Sequence, residues 1–516
     1  MEGHEIITEL QEQAEQYRQK FKEDPSLDNV KTLFDTLFDL LGEQRGKGLY
    51  DDAISTYEDI IDLLIHEECF NSKSGVWRGN DLPLHYMGEA FFYYTEILID
   101  KGDFEEACDN VGKALNLREK LYEGCSDKQK PIYGRFLGNS YFQVARIAYC
   151  INNTVAEGEY LAKYQDIYEL NAKLTNAPRE RKFLADCYEE IGNIHENRDN
   201  IESAYEYYLK ASPILEELYK ENDDNENTER LAHNYDILGI LLRKKGERDK
   251  AAEYCTKSNA LFKELNDRLQ TEGSRRSLAT SYDNLSVFVR EQGKLKLSME
   301  YAQMAFDLRQ KLVEETNDLY DMEDLATSYQ HLGDCEWGKG KFEKARDYYE
   351  KAVSIKEKVV SENESDDALV SLCRAYSGLA DLNEMLKNGT YALELRKKNV
   401  SIFEERYNSA PSSDSQLQLD ESYIQTAITL SRLDDNVSAA EYILKALPSC
   451  EKLAAELNSN YANRNLACAY IVYGNICMES GDEEKAEELL ERGLKESQAV
   501  KNDVLLDLLV SNIVIK

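Results

Sequence analysis

Apolar residues along this 516-residue chain recur at steps of three and four, interrupted at regular intervals by a glycine or a small polar residue. Leu325, Tyr329, Leu332 and Gly333 fall on one helical face; beyond Gly340, Ala345, Tyr348, Tyr349, Ala352 and Val353 form another. The pattern predicts two helices joined by a tight turn, with Gly340 supplying the left-handed backbone that ends the first.

Gly340 and the small residue five positions later serve as a ruler for the whole chain. Equivalent turn positions are Gly48, Gly102, Asn153, Asp199, Gly246, Gly293, Gly340, Lys387, Asp434 and Gly481, spaced by 54, 51 and 46 residues and then by 47 six times running. Five residues on stand Ala53, Ala107, Gly158, Ala204, Ala251, Ser298, Ala345, Ala392, Ala439 and Ala486, all of them small. Lys387 should make the least favourable turn. Small residues at Gly333 and Ala345 let two antiparallel helices approach to ~8–10 Å, while Tyr329 and Tyr348 fill the wedge toward the next pair. One pair cannot enclose its apolar face, so the pairs must stack into an all-α solenoid with a continuous core.

Tyr329, Leu332-Gly333, Ala345, Tyr349 and Ala352, and again Tyr188, Ile191-Gly192, Ala204, Tyr208 and Ala211, resemble the tetratricopeptide repeat family. The resemblance is specific from residue 179 onward and weaker before, where Thr95 and Arg146 replace the helix glycine. It implies a right-handed superhelix of about ten helix pairs whose first helices line the concave side. The period exceeds the ~34 residues usual for the family, so both helices are expected to be longer. The predicted organisation is a capping helix at 1–26, irregular repeats one to three at 27–178, repeats four to ten at 179–507, and a capping end at 508–516. Pro213 and Pro448 fall inside second helices and predict kinks.

Net charge of -36 opposes a nucleic-acid partner. The eleven cysteines are scattered without metal or disulfide spacing and read as reduced core thiols. With no apolar run approaching ~18 residues, the expectation is a cytoplasmic protein that uses no membrane. Neither His66 and Cys69 nor His195-Glu196 forms a catalytic or metal constellation, and WGKGKF at 337–342 is explained by the turn register. No catalytic residue, metal site or cofactor is therefore expected.

Function then rests on the inner wall. The residue three before each helix glycine runs Glu189, Asp236, Asp283, Gln330, Ser377, Ile424, Ile471, from acidic through polar to apolar. This column predicts a protein or peptide partner with a basic segment against units four to six and an apolar segment against units nine and ten. Arg243 and Arg290 lie one turn or more further along and could neutralise Asp236 and Asp283, two turns away in each case. Asn193, Asp334, Arg374 and Asp381 complete the groove candidates. Trp337 reads equally as a packing residue or as an anchor for the partner. Trp77 and Arg78, in the longest insertion, are loop candidates. The chain is thus expected to be a protein-interaction scaffold, or alternatively a regulatory sensor whose solenoid controls a separate enzyme such as a protease or signalling partner.

Overall fold

The computed structural model describes the chain except residues 1, 25, 67–81, 458, 501–504, 508 and 511–516, and except the side chains of residues 2–5, 27, 66, 82 and 83. Trp77 and Arg78 lie outside the described residues, as does Cys69. The described residues form helices and turns only: α1 (Glu2–Glu23), α2 (Leu27–Gly46), α3 (Tyr50–His66), α4 (Leu82–Lys101), α5 (Phe104–Gly124), α6 (Lys130–Cys150), α7 (Thr154–Thr175), α8 (Pro178–Asn197), α9 (Ile201–Glu221), α10 (Asn225–Lys244), α11 (Arg248–Leu269), α12 (Glu272–Glu291), α13 (Leu295–Thr316), α14 (Leu319–Gly338), α15 (Phe342–Glu362), α16 (Asp366–Met385), α17 (Gly389–Ser409), α18 (Ser413–Arg432), α19 (Asn436–Leu457), α20 (Asn460–Glu479) and α21 (Glu483–Ser497). Consecutive helices pack as pairs at α2/α3, α4/α5 and α6/α7 and from α10/α11 to α20/α21, as an all-α solenoid requires. The chain divides into two compact units, Met1–Ile194 with Glu206–Leu218, and His195–Tyr205 with Tyr219–Lys516. No helix among the described residues is long and apolar enough to cross a membrane.

Left-handed backbone marks each hairpin turn, at Gly48, Gly102, Asn152, Asp199, Gly246, Gly293, Gly340, Lys387, Asp434 and Gly481. One of these differs from the sequence expectation. Asn153 instead caps α7, its side chain accepting from the Ala156 N–H, and Asn152 makes the turn with φ of 58°. The register in the third pair therefore shifts by one. Ala145, fully buried, takes the helix-glycine position in place of Arg146, and buried Glu157 occupies the close-approach position in place of exposed Gly158. Lys387 adopts φ of 60° without the glycine that such backbone favours.

Close approach is real where the ruler places it. A Cβ on Gly333 would sit 3.1 Å from Tyr349 Cε2 and 3.4 Å from the Ala345 carbonyl oxygen; on Gly239 it would meet Cys255 Sγ at 2.3 Å. Ala345 is fully buried. Ala345→Leu is accordingly expected to destabilise the protein by about 1–3 kcal/mol through overpacking, and exposed Lys344→Ala by no more than about 0.5 kcal/mol. Urea unfolding midpoints separate the two, and equal midpoints would contradict this packing.

Five pairs reuse one aromatic motif between their two helices. Tyr188 with Tyr207, Tyr235 with Tyr254, Tyr282 with Tyr301, Tyr329 with Tyr348 and Tyr423 with Tyr442 bring their ring centroids to 5.6–6.4 Å. Lys210, Lys257, Lys351 and Lys445 lie over four of these pairs. Tyr188 and Tyr423 donate to Glu169 and Glu404 of the preceding second helix at 3.0 and 2.7 Å. The phenol thus joins one pair to the next.

At the start of the chain Ala14 and Phe21 of α1 enter the core of the first pair beside Val30, Leu33 and Phe34, and Arg18 meets Asp59 at 2.6 Å. Toward the end, Leu506 and Leu509 join the last core cluster; most of 508–516 lies outside the described residues. Helices α9 and α19 continue through Pro213 and Pro448. Among the described residues seven cysteines are buried, but Cys108 and Cys150 are exposed and Cys125 is half-buried, so not every thiol belongs to the core.

Candidate functional groove

The second unit carries an open groove of about 1190 Å³ along the first helices α14, α16, α18 and α20. Trp337 of α14 lines one end. Arg374, Ser377, Gly378, Asp381, Glu384 and Met385 come from α16, Asp414, Gln418, Glu421, Gln425, Ile428 and Arg432 from α18, and Tyr461 and Arg464 from α20. Arg396, Asn399 and Phe403 reach it from the second helix α17. In a chain with net charge -36, this lining balances four arginines (374, 396, 432, 464) against four carboxylates (381, 384, 414, 421).

Three of the arginines are paired within the wall. Arg396 donates to Asp381, Arg432 to Glu384, and Arg464 to Glu421 at 2.7 Å. Tyr461 also donates to Glu421, at 2.6 Å; burial, then the Glu421 charge, pushes its phenol well above the usual range. Gln418 donates to Asp414 at 2.9 Å. Arg374 is exposed and makes no ion pair among the described residues. Burial pushes the Cys373 thiol up to about 12, which favours the protonated form at neutral pH. Among the described residues no cluster of His, Cys, Asp or Glu is arranged to hold a metal ion.

Of the sequence candidates, Trp337, Arg374 and Asp381 come together here. Trp337 is half-buried, with its ring edge-to-face on Tyr349 at 6.3 Å, and it also forms part of the groove wall. The predicted column is corrected. Ile424 and Ile471 are 2% and 0% exposed, in the core of the last pairs, and Asp283 is 3% exposed; none can face a ligand. Asp236 and Asp283 of this column meet the next pair, where Asn284 donates to Asp236 at 2.9 Å and His331 meets Asp283 at 2.8 Å, while Ser377 alone of the column lines the groove. The groove-lining residues of α16 instead include half-buried Gly378, one position further along the helix, and exposed Arg374, Asp381 and Met385 one or two turns from it.

The intrahelical neutralisation of Asp236 by Arg243 and of Asp283 by Arg290 is likewise not made. Arg243 pairs with Glu291 at 2.7 Å and Arg290 with Asp334 at 2.8 Å, both in the following pair. Two turns along a helix separate side chains by ~10 Å, whereas the neighbouring helix is in reach. Asp334 additionally accepts from Tyr349. Glu189 and Gln330 are half-buried, and Asn193 is exposed and accepts from Tyr208. Arg396, Arg432, Arg464, Glu384 and Glu421 were missed. Their signal was present, since Glu384 and Arg432 stand 48 residues apart and Glu421 and Arg464 43 apart, close to the repeat period.

Residues 277–358 and, separately, 469–499 match tetratricopeptide repeat family models. No curated protein matches the sequence. Among solved structures, the chain is similar to the apo form of the quorum sensor NprR from B. thuringiensis, at 15% identity over 80% of this chain and 100% of that one, with a TM-score of 0.44. Aspartyl phosphate phosphatase F from Bacillus subtilis is similar at 13% identity over 80% and 94%, with a TM-score of 0.43. A signal transduction ATPase with a tetratricopeptide repeat sensor from Pyrococcus horikoshii gives 15% identity over 93% and 72%, with a TM-score of 0.40.

Proposed function

The chain is a tetratricopeptide repeat protein, and we propose that it works as a protein-interaction scaffold that binds an extended peptide segment of a partner in the groove of α14, α16, α18 and α20. The observation that carries this reading is the groove itself. It draws side chains from four successive first helices, it offers an aromatic wall at Trp337, and its charges are balanced on a strongly acidic protein. A balanced lining favours a ligand that is itself polar and near neutral over the basic segment that net charge alone would suggest. Apolar contact at Trp337 and Met385 supplies affinity, and the paired arginines and amides set register.

Selection of the full chain against a displayed library of random peptides tests this. Enriched peptides, made synthetically, should bind the wild type and lose about tenfold or more in affinity, or ~1.4 kcal/mol, to Trp337→Ala, with circular dichroism confirming that the variant is folded. Recovery of no peptide, or of peptides indifferent to Trp337→Ala and Arg432→Ala alike, would refute the groove.

A regulatory reading has one observation in its favour. Arg432–Glu384 joins α16 to α18, and Arg464–Glu421 joins α18 to α20. A ligand carboxylate that competes for either arginine would alter contacts between successive pairs. Hydrogen exchange over 366–479 with and without bound peptide distinguishes this from a rigid scaffold.

A further inference from the structure

The eighth pair departs from its neighbours at one point of the groove. At positions 377 and 378 α16 carries Ser and Gly, where the pairs on either side carry Gln330 and His331, or Ile424 and Gln425. Gly378 has no room for a side chain without a shift, since a Cβ would lie 3.1 Å from Tyr349 Cε1. Through this window the second helix α17 reaches the groove. It presents Asn399 where the flanking pairs have Ala352 and Ala446, and Arg396 where they have Tyr349 and Ile443.

Both polar side chains are buried, at 4% and 3% exposure, and both are incompletely paired. Asn399 Nδ2 donates to the Cys373 carbonyl at 3.0 Å and to Ser377 Oγ at 2.9 Å. A carbonyl can only accept, so the amide orientation is set, and Asn399 Oδ1 is left with no hydrogen-bond partner. Arg396 uses Nη2 on Asp381 and leaves its Nε–H unpaired. Residues 396 and 399 are three apart on one helix, so one unfilled donor and one unfilled acceptor share a face. Buried polar groups are nearly always satisfied, and an exception inside a recess points to a ligand group.

We propose that this recess is a subsite for a neutral primary carboxamide, the side chain of an Asn or Gln in the bound peptide; the inference rests on the groove reading above. The carboxamide oxygen accepts from Arg396 Nε and its NH₂ donates to Asn399 Oδ1, while Phe403 flanks the methylenes. Charge selects the neutral group. Asp381 already neutralises Arg396, so a ligand carboxylate would add an unpaired negative charge and could not donate to Asn399. An ammonium would face the guanidinium and could accept nothing from it.

Peptides enriched by the full chain from the random library provide the probe. Asn or Gln is expected at one fixed position, and its replacement by Asp or by Leu in a synthetic peptide should weaken binding to the wild type tenfold or more. On Asn399→Ala, which restores the alanine of both neighbouring pairs, the same replacements should change affinity less than threefold. Asn399→Ser, matching Ser258 of the same column, serves if the alanine variant fails to fold. Enriched peptides with no carboxamide requirement, or an undiminished discrimination on the position-399 variant, would overturn the subsite while leaving the groove intact. No Trp337-dependent binder at all would overturn both.

Discussion

Asp283→Ala is expected to destabilise the protein by about 3–5 kcal/mol, because it takes the nearer of two carboxylates from a buried guanidinium. Arg309 of α13 is 4% exposed and holds Asp283 of α12 at 2.5 Å. It also donates to the Asp324 carbonyl at 3.0 Å and to Ser328 Oγ at 3.1 Å, which are neutral, and the Asp324 carboxylate, 3.6 Å from Arg309 Nε, is a more distant countercharge than Asp283. The His331 imidazole sits on the other Asp283 oxygen at 2.8 Å, so removal of the carboxylate disturbs α12, α13 and α14 together. The double variant Asp283→Ala/Arg309→Leu should recover part of the loss. One period away on either side of the Arg309–Lys356 column stand Phe262 and Phe403, which shows that apolar side chains suit these positions. Loss of an exposed pair, as in Arg346→Ala, should by comparison cost about 0–1 kcal/mol. Urea denaturation of the four proteins checks the ranking; an unfolding midpoint for Asp283→Ala equal to that of Arg346→Ala would show that the network contributes nothing.

Asp420→Asn is expected to stabilise the protein at neutral pH. The Asp420 side chain is buried in α18 and accepts from Gln416 at 2.8 Å and Ser449 at 2.6 Å through Oδ1, while Oδ2 has no hydrogen-bond partner and the Cys450 thiol lies near the carboxyl. Burial raises its carboxyl from an ordinary 3.8 to about 6, against smaller opposing effects of Ser449 and Gln416. A folded-state value above the unfolded one means that the native protein binds this proton more tightly. The contribution is fully present below the unfolded value and is lost as pH rises through the folded one. At one pKa unit per ~1.4 kcal/mol, the ionised carboxylate costs on the order of 3 kcal/mol above about pH 6. Asparagine preserves the acceptor for Ser449 and Gln416 and carries no charge. Its advantage in unfolding midpoint should therefore be largest at pH 7 and shrink toward pH 4. A constant difference across that range, or a less stable variant at pH 7, would rule this out.

Much of the molecule is legible in its repeats. Beside the turn and close-approach positions, the caps of the first helices also follow the period: Asp224, Thr271, Asp318, Ser365, Ser412 and Ser459 stand 47 residues apart, and each side chain accepts from a backbone N–H in the first turn. Polar caps, apolar periodicity and turn residues act over a few residues, so they can be read without knowing what a helix packs against. The third pair escaped because two adjacent asparagines, Asn152 and Asn153, suit the turn and the cap almost equally, and only the folded backbone assigns them.

By itself, then, the sequence determined the all-α class, the helix pairs and the positions where helices must touch. Tertiary structure decided which of the remaining faces is the groove. Asp236, Asp283, Ile424 and Ile471 differ from Gly378, Asp381 and Met385 by no local preference; one or two positions on a helix rotate a side chain by 100–200°, and whether that direction ends in water or against the next pair depends on how the pairs are stacked. The same dependence gives Arg396 and Asn399 their place. Both belong to a second helix, and they reach the groove because Ser377 and Gly378 of another helix are too small to cover them.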